Sequence, residues 1–81
     1  MDVLVAFREN TRYPEPLRFK LHEDGEEKTV SVGRILDVQD IGAGGMARLE
    51  YTCASPGTRG EIRYKLMYYY NKGTWGLERS K

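Results

Sequence analysis

Two runs decide the fold: Ala47-Arg48-Leu49-Glu50-Tyr51-Thr52-Cys53, and Ile62-Arg63-Tyr64-Lys65-Leu66-Met67-Tyr68-Tyr69-Tyr70. In the first, Ala47, Leu49, Tyr51 and Cys53 alternate with Arg48, Glu50 and Thr52. In the second, Ile62, Tyr64, Leu66, Tyr68 and Tyr70 alternate with Arg63, Lys65, Met67 and Tyr69. Successive side chains of a strand point to opposite faces, so a period of two puts one apolar face inward and one polar face outward. Residues 54–60, with Ser55-Pro56-Gly57 inside them, carry the composition of a loop between the two strands. Asn71-Lys72-Gly73 makes a short hairpin connection into a last strand, where Trp75 and Leu77 face one way before the charged end Arg79-Ser80-Lys81.

The same period runs toward the N-terminus. Leu17, Phe19 and Leu21 fall on one face, and Arg18, Lys20 and His22 on the other. Asp24-Gly25 reads as a tight turn, because both residues tolerate the positive φ that hairpin turns require. The next strand carries Val30 and Val32, then passes Gly33 into Ile35, Leu36 and Val38. Its inward set changes parity on the way, which predicts a bulge or bend near Gly33; a short helical turn over 34–39 is the competitor. Ile41-Gly42-Ala43-Gly44-Gly45 reads as a mobile loop rather than a phosphate cradle, since no helix start and no Lys-Ser or Lys-Thr follows it. Tyr13-Pro14-Glu15-Pro16 reads as an extended connector, because two prolines disfavour a central strand. Before it, Val3, Val5 and Phe7 alternate well enough for one further strand.

These signals describe one all-β domain over residues 1–81, with 16–81 as its core and 1–15 as an N-terminal strand and proline-containing connector. Five strands from Leu17 onward form an antiparallel meander, with a possible sixth before them. No long helix is evident to cover an apolar sheet face, so closure into a small SH3-like barrel or a fold into two short sheets is expected. An OB-like barrel fits less well, for want of a helix between strands. The expected core is Leu17, Phe19, Leu21, Val30, Val32, Ile35, Val38, Leu49, Tyr51, Cys53, Ile62, Tyr64, Leu66, Tyr68, Trp75 and Leu77.

Composition narrows function by exclusion. The 81 residues are 40% hydrophobic and 31% charged, which permits one domain with a thin core. A formal charge of +1 excludes a histone-like or acidic-tail protein. One cysteine and one histidine exclude a disulfide framework and any multi-cysteine metal centre, so no metal and no cofactor are expected. No window approaches a membrane span, Met1 to Phe7 is too short for a signal core, and the lone thiol suits a reducing compartment; the expectation is cytoplasmic, with no membrane partner.

Tyr64-Lys65-Leu66-Met67-Tyr68, followed six residues later by Trp75-Gly76-Leu77-Glu78-Arg79, forms a pattern with Pro16-Leu17-Arg18-Phe19 and the run Val32 to Val38. Over roughly Pro16 to Arg79 it resembles small uncharacterised bacterial all-β proteins. The resemblance implies a compact all-β domain and carries no activity, ligand or residue role.

Catalysis is not expected. Glu23, Asp24, Glu26 and Glu27 cluster at a turn and are explained by a solvated hairpin tip, His22 reads as a surface histidine, and Cys53 reads inward as a buried, quiet thiol. Binding is the expectation that remains. Charge is uneven: residues 21–50 hold three basic and seven acidic groups (−4), while residues 51–81 hold six basic and two acidic (+4). Arg63 and Lys65 point outward with Met67 and Tyr69, and Arg18 and Lys20 point outward on an earlier strand. Were those strands neighbours, Arg18, Lys20, Arg63, Lys65 and Tyr69 would make a basic patch with an aromatic, suited to single-stranded nucleic acid or structured RNA. The favoured expectation is a non-catalytic binding or adaptor module for a protein partner or a second copy. Met67, Tyr69 and Tyr70 would supply its apolar contacts, since that run is hard to bury on one side, with the N-terminal strand offered beside them.

Overall fold

A computed structural model describes residues 2–9, 12–42, 47–57 and 59–79, except for the side chain of Glu23. The described residues contain seven strands and no helix. They are β1 (Val3–Ala6), β2 (Glu15–Glu23), β3 (Glu26–Ser31), β4 (Arg34–Ile41), β5 (Arg48–Gly57), β6 (Gly60–Tyr69) and β7 (Thr74–Arg79). All pairings are antiparallel and form two sheets, ordered β1-β2-β3 and β4-β5-β6-β7. The all-β antiparallel expectation holds, and the N-terminal strand is present. Neither ladder closes on itself among the described residues, so both sheets keep two edges.

The chain forms two compact units, Met1–Val32 and Gly33–Lys81. The boundary falls inside the stretch read as one bent strand, which is in fact β3 and β4, members of different sheets. Gly33 explains the break. A Cβ there would sit 2.7 Å from the carbonyl oxygen of Ala54 and 3.2 Å from Pro56 Cδ, so only glycine lets the chain enter β4 this close to β5. The expected bulge lies just beyond, where Leu36 is passed over between the pairs Ile35–Cys53 and Asp37–Thr52.

In the first unit, Asp24 (φ 51) and Gly25 (φ 78) form the two-residue turn that joins β2 to β3, as the sequence predicts. The β1–β2 ladder contains a second bulge: Leu4 pairs with Arg18 but Val5 pairs with Pro16, skipping Leu17. That one extra residue exchanges faces. Pro16 and Phe19 are buried, whereas Leu17, expected in the core, is 37% exposed. Pro16 therefore belongs to β2 rather than to a connector. The β2–β3 ladder begins only at Arg18, so the missing N–H of Pro16 falls where β2 has a strand on one side alone.

The second unit repeats this device. β5 runs through Ser55-Pro56-Gly57, which the composition marks as loop. Its ladder with β4 stops at Ala54, so Pro56 pairs with β6 only. Of the expected core of this unit, Leu49, Tyr51, Cys53, Tyr64 and Leu66 are buried, joined by Ala47, Ala54 and Ser55, whereas Ile35, Val38, Tyr68 and Leu77 are only partly buried. Tyr51 faces Leu66 and Cys53 faces Tyr64 across the β5–β6 ladder. Trp75 is only partly buried; it stacks on Tyr68 with ring centroids 4.8 Å apart, and lies 5.7 Å from Tyr51. Ile62, expected in the core, is 53% exposed. It stands past the ends of β4 and β7, where the β5–β6 hairpin has no flanking strand, and folds over Gly57. The hairpin at 70–73 closes with Lys72 and Gly73 N–H both donating to the Tyr69 carbonyl. Of the expected glycine loop, residues 43–46 lie outside the described residues.

Candidate interaction surfaces

The outward face of β6 carries Arg63, Lys65, Met67 and Tyr69 in alternation, as expected. Its cations meet carboxylates on the same sheet. Lys65 Nζ lies 3.8 Å from Glu50 Oε1, and Arg48 holds the other oxygen of Glu50 at 2.7 Å. Arg63 lies 3.6 Å from Glu61, which Arg34 also contacts. The Glu50 side chain is only 13% exposed, and with Glu61 it is shared among four cations, so Arg63 and Lys65 stand in ion pairs on a face that keeps an excess of positive charge.

Met67 and Tyr69 are half-buried. The Tyr69 hydroxyl points to Met67 Sδ at 3.7 Å, and both side chains lie over Gly76 of β7, where a Cβ would stand 3.3 Å from the Tyr69 ring. Tyr70, grouped with them in the sequence reading, turns to β4, and its hydroxyl lies 3.4 Å from Asp40 Oδ1. Over Tyr64–Tyr68, the part that carries Lys65 and Met67, β6 is paired with both β5 and β7, so that stretch of its backbone offers no edge to another chain. Arg18 and Lys20 stand on β2, whose neighbours are β1 and β3; no ladder joins them to Arg63 and Lys65.

Two of the groups weighed for chemistry lie differently: one in the core, one on the surface. Cys53 is fully buried, its thiol lies 3.6 Å from the Tyr51 carbonyl oxygen, and burial pushes its pKa up to about 11 against a smaller lowering by a backbone hydrogen bond from Leu66. Tyr64 is also pushed up by burial, opposed by its 2.6 Å hydrogen bond with Ser55 and reinforced by Cys53. His22 is exposed, 3.5 Å from Glu27. Among the described residues no cluster of three or more His, Cys, Asp or Glu is placed to hold a metal ion. No helix among them is long and apolar enough to cross a membrane.

The N-terminal strand, which the sequence reading offered beside Met67 and Tyr69 as a surface for a protein partner, is an edge of the first sheet. β1 is hydrogen-bonded to β2 alone. Leu4 is 48% exposed on it, and Phe7, just past its end, is 82% exposed. Lys20 N–H donates to the Asp2 carbonyl at 3.0 Å, so by the alternation of an antiparallel ladder the N–H and C=O of Val3 point outward to the open edge. The signal in the sequence was the uncharged run Val3-Leu4-Val5-Ala6-Phe7.

No protein-family model, curated protein or solved structure matches this chain, so the surfaces must be judged on their own chemistry.

Proposed function

We propose that this chain is a non-catalytic, cytoplasmic binding or adaptor module of the SH3-like barrel class, which takes an extended segment of a partner protein along the open edge of β1. One observation carries the proposal. Of the four edge strands, β3 holds Glu26, Glu27 and Lys28, β4 holds Arg34, Asp37 and Asp40, and β7 holds Glu78 and Arg79. Among the edge strands of the described residues, β1 alone has no charged residue. Charges on an edge strand guard it against pairing with other chains, and an edge without them is a template for an added strand. Exposed Phe7 extends that template with an aromatic anchor. The all-antiparallel meander and short turns support the SH3-like class, and the single thiol supports the compartment.

The test is an amide NMR titration of the full labelled chain with an alternating valine–threonine hexapeptide. Saturable shifts in Val3 to Phe7 are expected. They should vanish in Val3→Pro, which deletes an outward N–H and leaves the bonds to β2 in place. No shift there at millimolar peptide would overturn the proposal. A parallel titration with a short single-stranded oligonucleotide tests the competing chemistry: salt-sensitive shifts at Arg63 and Lys65 would move the function to nucleic acid.

A further inference from the structure

The face of the first sheet beside the β1 edge is not neutral. Leu4 lies directly across from Arg18, and Lys20 follows Arg18 on the same face, across from Thr29. Together with Asp2 these residues line an open groove of about 460 Å3. Lys20 is engaged by Glu27 at 3.4 Å. Arg18 is exposed and meets no carboxylate among the described residues.

We infer that the segment accepted by β1 is acidic, with a glutamate or aspartate on the Leu4 face that pairs with Arg18. This rests on strand addition at β1 as its premise. A strand added to β1 lies two strand spacings from β2, about 10 Å. An arginine and a glutamate side chain meet over that distance above Leu4, with the arginine stem lying along the leucine. The guanidinium then presents its planar fork to the carboxylate. A side chain every second residue reaches this face, so one acidic residue in the right register satisfies Arg18, and apolar residues of the segment fall on the opposite face with Val3 and Val5. A nucleic-acid strand fits less well, because it carries a charge at every residue and would meet Asp2 and Glu27 at a groove where, of the two cations among its described lining residues, Lys20 is already engaged.

Three hexapeptides, valine alternating with glutamate, threonine or lysine, titrated into the full labelled chain test this. The glutamate peptide should bind about tenfold more tightly than the threonine peptide, and the lysine peptide most weakly, with the spread shrinking at high salt. Arg18→Gln should bring the glutamate peptide to the level of the threonine peptide and leave the latter unchanged. Arg18 is exposed, so the variant should keep the wild-type spectrum elsewhere. Equal binding of the glutamate and threonine peptides at β1, or indifference to Arg18→Gln, overturns the acidic preference and leaves strand addition standing. Absence of any β1 shift overturns both. Concentration-dependent β1 shifts without peptide identify a second copy as occupant and overturn the acidic segment.

Discussion

Raising the pH should destabilise this protein through a single buried thiol, and the size of the effect can be worked out. Cys53 is fully buried, and its pKa in the folded chain is about 11 against an ordinary 9.0. Between those values the folded chain holds a proton that the unfolded chain has released. The unfolded state then binds fewer protons, so stability falls as pH rises; below 9 the contribution is intact. From pH 8 to pH 11 the loss is about 2 kcal/mol, approaching about 3 kcal/mol once both states are deprotonated. Tyr64, also raised by burial, adds in the same direction. Other groups titrate in this range, so the measurement is a difference: urea unfolding of wild type and Cys53→Ala at both pH values, followed by Trp75 fluorescence. Cys53→Ala should start lower, because it opens a cavity, and then lose about 2 kcal/mol less on going to pH 11. Equal losses in the two proteins would refute the burial account of this thiol, as would reaction of the folded protein with a thiol reagent at the rate of a free cysteine at pH 8.

Gly33→Ala should cost about 1–3 kcal/mol by urea unfolding, since its methyl group meets a backbone carbonyl that no rotamer change can move. Glu50→Gln should cost about 1 kcal/mol and make stability less sensitive to salt, because Arg48 and Lys65 lose a shared carboxylate. Leu66→Ala, at a fully buried site between β5 and β7, should cost about 2–5 kcal/mol, a large share of what an 81-residue chain has to lose.

The strand content was legible because alternation is a local property. That Tyr51, Cys53, Tyr64 and Leu66 all turn inward follows from two clean period-two runs. What escaped was set by neighbours distant in sequence. Pro16 and Pro56 are forbidden in a strand bonded on both sides, and sequence alone does not show that β2 and β5 each overrun one of their neighbours. The Leu17 bulge is similarly invisible, because an alternating run looks the same whether or not its partner slips by one residue. For the site, the outward set Arg63, Lys65, Met67 and Tyr69 could be read from β6 itself. The carboxylates of Glu50 and Glu61 beside its cations depend on cross-strand register and rotamer, and the edge position of β1 depends on strand order.

That strand order has a kinetic consequence. Each ladder joins strands adjacent in the chain, with no crossover in either sheet. Loop closure in both sheets is therefore a series of short steps, each begun by a hairpin, without the long-range search of a Greek key. Among all-β proteins of its size this one should fold at the fast end of the range, zipping outward from turns such as Asp24-Gly25. Every pairing partner of the first sheet lies within Met1–Val32, so its ladders require no strand of the second unit.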